Sequence, residues 1–154
     1  MGNLKAWFYL FFVTFLPAVE LRGSIPLAIA SYKLPVIPST IVITIANILI
    51  TPLVFLLYDL FIWISHKIPF LDRFVKNYLT NLQKRAQPYM DKYGFWGLMI
   101  FVAIPLPGTG AYSGSLAALI FGMNKMKAFV SISLGVILAG IIIALVTTGA
   151  VKLF

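Results

Sequence analysis

The chain has 154 residues, 61% of them hydrophobic and only 10% charged, with a mean hydropathy of +1.00. A soluble domain carries about a quarter charged residues, so this composition excludes an ordinary soluble domain and selects an all-α integral membrane protein of one unit. The net charge of +8 falls on residues between apolar segments, which fits membrane orientation better than nucleic-acid binding, and the absence of cysteine removes disulfides, thiolate metal sites and thiol nucleophiles.

In chain order, Lys5 precedes the apolar run 6–16, but small residues are poorly placed for cleavage, so no cleaved signal is expected. Ala6 stands where myristoylation wants Ser or Thr. Residues 4–34 form an apolar block interrupted by Pro17, Glu20, Arg22, Gly23 and Pro26. Each intact arm has roughly 10 to 13 residues where a span needs about 20, which leaves two descriptions: one broken span, or a re-entrant hairpin that dips in and returns. After a turn at Pro35 and Pro38, residues 39–65 are continuously apolar apart from Asp59. About 26 residues at 1.5 Å each give roughly 39 Å of helix, a full crossing. Pro52 is expected to kink it, and Tyr58 and Trp63 suit the water interface.

Residues 66–92 change character. Leu71, Phe74, Val75, Tyr78, Leu79 and Leu82 recur at helical spacing, with Pro69 suiting a helix start and Pro88 a helix end. This predicts an amphipathic interfacial linker whose Lys67, Arg73, Lys76, Lys84 and Arg85 face anionic lipid. The alternative is a solvated helix packed on its own protein. Residues 94–123 are again apolar and again broken, because Pro105, Pro107, Gly108, Gly110 and Gly114 together cannot sustain a helix. Unpaired backbone is tolerated in hydrocarbon only where protein covers it or water reaches it, so this loop is a candidate site. Residues 128–151 form a second clean span, in which Gly135 with Ala139, and Gly140 with Ala144, allow close helix approach.

Both halves read as broken block, then span, and both breaks contain Ile-Pro-Leu, at 25–27 and 104–106. Two re-entrant hairpins separated by one crossing would enter from opposite faces, the inverted-repeat plan of secondary transporters, with the breaks meeting near the midplane. Under either topology the basic residues outside the breaks divide eight to three in favour of the side holding 66–92, which makes that linker cytoplasmic; the membrane is expected to be the inner one.

Glu20 and Arg22 are the strongest chemical signal, since ionisable groups inside a membrane segment usually face a cavity and have a role. Arg22 is a candidate for holding an anionic group and Glu20 for taking up a proton; the structural alternative is an ion pair pinning the break. Backbone N–H groups of Gly108 and Gly110, with the hydroxyls of Thr109, Tyr112, Ser113 and Ser115, offer an anion-binding turn, against the alternative of a packing turn. Asn47 reads as an interhelical hydrogen bond and Asp59 as a solvated or lysine-paired acid. The lone His66 cannot build a two-histidine metal site. Ser113-Gly114 is one residue too far from Gly110 for a nucleophile elbow, and no phosphate-loop lysine follows the glycines, so enzymatic chemistry, a metal and a cofactor are not expected.

The motifs Glu20-Leu21-Arg22-Gly23-Ser24-Ile25-Pro26 and Ile104-Pro105-Leu106-Pro107-Gly108-Thr109-Gly110-Ala111-Tyr112-Ser113-Gly114 resemble the two signatures of the small multidrug export family, which looks related to the DedA-like membrane proteins. The resemblance covers nearly the whole length and implies a transport fold of two facing re-entrant hairpins. DedA-like relatives carry a further arginine in the second motif; it is missing here, so Arg22 alone, or a second protomer, would supply the positive charge. The leading expectation is proton-coupled export of a small anionic or amphipathic compound. A DedA-like translocase of a lipid or lipid-carrier phosphate is the nearest alternative, and a non-transporting membrane scaffold is the alternative of another class. Two spans and two hairpins make a thin wall, which favours a homodimer.

Overall fold

A computed structural model describes residues 2–106 and 108–153, and side chains for 4–106 and 108–151. Among the described residues every regular element is helical: α1 (Gly2–Thr14), α2 (Glu20–Pro26) running into a π turn (Leu27–Ser31), α3 (Val36–Lys67), α4 (Pro69–Tyr93), α5 (Phe95–Ala103), α6 (Ala111–Ile120) and α7 (Lys125–Leu153). Two of them, α3 and α7, are long and apolar enough to cross a membrane.

The first break lies at residues 15–19, where Pro17 has no N–H to continue the ladder and the chain closes tight turns such as Phe15 N–H to Phe12 and Val19 N–H to Leu16. Gly23 and Pro26 were expected to share in it and do not: both sit inside α2, and the irregularity after Pro26 is one wide turn closed by Tyr32 N–H on Leu27. The two arms fold back on each other. Thr14 Oγ1 donates to Ser24 Oγ at 2.9 Å, and the Tyr9 and Tyr32 rings meet at 6.1 Å, so contacts diverge along the chain as antiparallel partners do.

Pro52 does not end α3, which runs unbroken for 32 residues. Pro88 likewise lies within α4 and does not stop it; the helix ends at Gly94, whose φ of +51° suits glycine and turns the chain into α5. The apolar stripe of α4, Val75, Leu82, Ala86 and Met90, is buried against its own chain on α5 and α6. The self-packing reading of this helix therefore accounts for its seam, while Phe70 and Phe74 near its start stay exposed.

The second break spans 104–110, with Pro105 inside it and Pro107 outside the described residues. Contacts fix the direction of its arms. Phe95 O accepts from Ser131 Oγ at 2.6 Å, and Met99 O lies against Gly135, so α5 and α7 advance together; α6 joins the start of α7 through four residues and runs the other way. Close approach is permitted by glycine. A Cβ on Gly135 would stand 2.6 Å from Met99 O, and one on Gly140 would stand 2.7 Å from Thr44 Oγ1. The small residues of α7 are thus used within the chain, against α5 and α3.

Candidate functional site

The two breaks, remote in sequence, meet. Glu20 opens α2 in the left-handed region, with φ +45°, a conformation that costs a non-glycine residue roughly 1–2 kcal/mol. This turn lets Glu20 and Arg22, which would point apart on a regular helix, both reach the second break. Arg22 Nη2 donates to Thr109 Oγ1 at 2.8 Å. The Thr109 hydroxyl passes its own proton toward the carbonyls of Ile104, at 2.6 Å, and Leu106, at 2.8 Å. Tyr112 N–H donates to Glu20 Oε1 at 3.3 Å, and Tyr112 Oη donates to the carbonyl of Phe15 at 2.5 Å.

Glu20 is buried, and its carboxylate lies so close over Gly110 that a Cβ there would collide with it. That is the N-terminus of α6, where unpaired N–H groups and the helix dipole favour a negative charge. The turn expected to receive an anion thus holds one supplied by the chain itself. Glu20 and Arg22 spend the hydrogen bonds just given on the second break, while their opposite charges also act on each other.

The hydroxyls of the second motif divide. Ser115 is buried and returns its proton to Ala111 O at 2.6 Å inside its own helix. Ser113 meets Tyr78 Oη of α4 at 3.2 Å. Thr109 and Tyr112 link the breaks as described, and Gly108, with φ +77°, has the Arg85 guanidinium 3.0 Å from where a Cβ would sit. A cavity of about 150 Å³ opens here, lined by Arg85, Tyr89, Phe101, Ile104, Leu106 and Thr109.

Sequence reasoning missed the contribution of α4. Arg85 and Tyr89 flank the buried Leu82, Ala86 and Met90 seam, a position that the spacing allowed one to read; Arg85 was expected at anionic lipid only, and Tyr89 carried no expectation. The other linker cations stay outside: Lys67 stacks over Trp63 at 3.6 Å, Lys76 pairs with Asp72 at 2.7 Å, and Arg73 and Lys84 are exposed. Asn47 does not make the interhelical bond expected of it; fully buried on α3, neither end of its amide has a partner among the described residues, nor does the Thr51 hydroxyl one turn on. Among the described residues no cluster of three His, Cys, Asp or Glu stands ready for a metal.

Fold and site together define an all-helical membrane protein organised around a pair of clasped helix breaks. Residues 20–142 match the family described as "putative small multi-drug export protein", which takes in well over half of the 154 residues, and the chain belongs to that family. No curated protein and no solved structure matches it.

Proposed function

We infer that the chain is a transporter of the inner membrane that exports a small anionic or amphipathic compound together with a proton. In this reading each broken block is a re-entrant hairpin, the two enter from opposite faces, and α4 lies on the cytoplasmic side. The observation that carries it is the buried Glu20 carboxylate seated on the N-terminus of α6, with Arg22 beside it on Thr109.

That seat has a mechanistic use. An ionised Glu20 occupies the α6 N-terminus and holds the tips together; a protonated one no longer carries the charge that the helix end favours. The groups facing it are Arg22 from its own helix and the Ala111 and Tyr112 N–H groups from α6, with Arg85 of α4 acting on Arg22 by charge. Proton uptake therefore frees the same N–H groups and removes the negative charge beside Arg22, which raises the affinity for an anion. Proton and anion favour each other and travel in the same direction, with export driven by the compound's own gradient.

The test is transport in proteoliposomes with an internal pH dye. The wild type should move protons with its substrate. Glu20→Gln should retain substrate movement but lose its pH dependence, and Arg22→Ala should lower the rate by about an order of magnitude or more. Full proton-linked transport in both correctly inserted variants would refute these roles.

A further inference from the structure

We propose that the polar stripe of α3, formed by Thr40, Thr44, Asn47 and Thr51, binds a file of water molecules, and that Glu20 exchanges its proton along this file with the membrane face opposite α4. The proton path rests on the transport reading above, whereas the water site at Asn47 and Thr51 stands without it.

Helical geometry puts the four side chains in one line. At about 100° per residue they fall within about 60° of each other around the helix, over roughly 16 Å of its axis. Thr40 is half-buried while Thr44, Asn47 and Thr51 are buried, so the stripe runs from a partly open end into the protein. It stops at the middle of the 32-residue helix, since residues 52–57 carry no polar side chain. Its open end lies toward the start of α3, away from the end that leads into α4. At depth, α3 packs on α2, which Glu20 opens, and on α6, whose first turn meets the Glu20 carboxylate.

Other hydroxyls in the molecule satisfy themselves locally. Thr14, Ser115, Ser133 and Thr148 each donate to the carbonyl four residues back. Thr40 and Thr51 do not. Among the described residues their hydroxyls, like both ends of the Asn47 amide, have no hydrogen-bond partner. Buried groups of this kind in a membrane protein are met by something polar, and the donors and acceptors say what. The Asn47 Oδ1 only accepts and its Nδ2 only donates, so a cation would leave the nitrogen unmatched and an anion the oxygen. No ionisable side chain stands on the stripe, so an ion would also be buried without a countercharge. Water donates and accepts, and suits both ends. Successive members rise by about 4.5–6 Å, a gap that one water with two hydrogen bonds of about 2.8 Å spans. A proton then need not travel as an ion. Each water or hydroxyl takes one proton and releases another from its far side, and the Glu20 carboxylate receives one at the end.

The experiment uses the full chain in proteoliposomes of uniform orientation and has two readouts. Solid-state NMR measures magnetisation transfer from water to the side-chain nitrogen of Asn47, assigned by its loss in Asn47→Leu. Transfer should be strong, weaker in Thr51→Val and retained in Thr51→Ser, which keeps the hydroxyl. Infrared spectroscopy then follows the rate at which Glu20 gains a deuteron after a drop in pD, from the carboxyl band that Glu20→Gln removes. Acidifying the face opposite α4 should give the faster response, and Asn47→Leu and Thr51→Val should each slow it by about tenfold or more, the rate equivalent of one lost hydrogen bond. Asn47→Leu discards the amide and its water together, so the path should fail while the fold gains stability, which a purely structural amide would not combine. No water transfer to Asn47, an equal or faster response from the α4 face, or unchanged Glu20 kinetics in both variants would overturn the proposal. Hydrated Asn47 and slowed Glu20 kinetics in a protein that carries no proton with its substrate would uphold the path and refute the transporter. Glu20-dependent transport with unchanged kinetics in both variants would do the reverse.

Discussion

Glycine at position 110 is required because a carboxylate occupies the space where any side chain would begin. Gly110→Ala should therefore push Glu20 off the α6 N-terminus and destabilise the protein by about 1–3 kcal/mol, the usual range for overpacking. Thermal unfolding of the single and double variants checks this, since Glu20→Ala should remove most of the penalty if the clash is with that side chain. Asn47 makes the opposite case. A buried amide without partners weakens a fold, so Asn47→Leu should raise stability by about 1 kcal/mol or more, read by the same thermal measurement. The charged pair in the first motif was legible in the sequence because charge inside oil is rare. Its partners were not legible, because the left-handed turn at Glu20 that aims both side chains is a backbone feature that no residue type there announces.

Among the elements, α4 differs most from what its sequence suggested. Helical spacing revealed that it has an apolar face, but spacing does not say what covers that face; here Val75, Leu82, Ala86 and Met90 pack on the chain's own α5 and α6. Nor could proline punctuation place the helix end, since Pro88 is accommodated and Gly94 makes the turn. The start of α4 is tied by Asp72, whose carboxylate meets Lys76 and His66, each at 2.7 Å. The hydrogen bond from Lys76, ahead of that from His66, holds the Asp72 carboxyl below its usual value of 3.8. A depressed folded value means that this tie contributes above 3.8 and is lost as pH falls through the lower folded value. Hydrogen exchange in the first turns of α4 should accordingly separate Asp72→Asn from wild type at neutral pH, and the two should converge as the solution is acidified below 3.8.

On the scale of the whole molecule, the two spans and the two interruptions were readable from length and composition, because an apolar run either reaches about 20 residues or does not. What joins them was not, because the sequence holds no record of which remote groups face each other; the Arg85 guanidinium of α4, for one, lies against Gly108 of the second break. The hairpin reading makes a topological prediction that the cysteine-free sequence renders easy to check. Single cysteines at positions 2 and 153 should both react with an impermeant thiol reagent added outside intact cells, whereas complete crossings by both broken blocks would shield them. The tips themselves are joined, among the described residues, by hydrogen bonds that include Arg22 to Thr109, Tyr112 N–H to Glu20 and Tyr112 Oη to Phe15. At roughly 0.5–3 kcal/mol apiece, the higher values going to the charged ones, these three sum to about 4–8 kcal/mol. A latch of that strength opens spontaneously in a small minority of molecules at any instant, so the resting protein should leak slowly, and a passing solute has only to tip a balance that heat already disturbs.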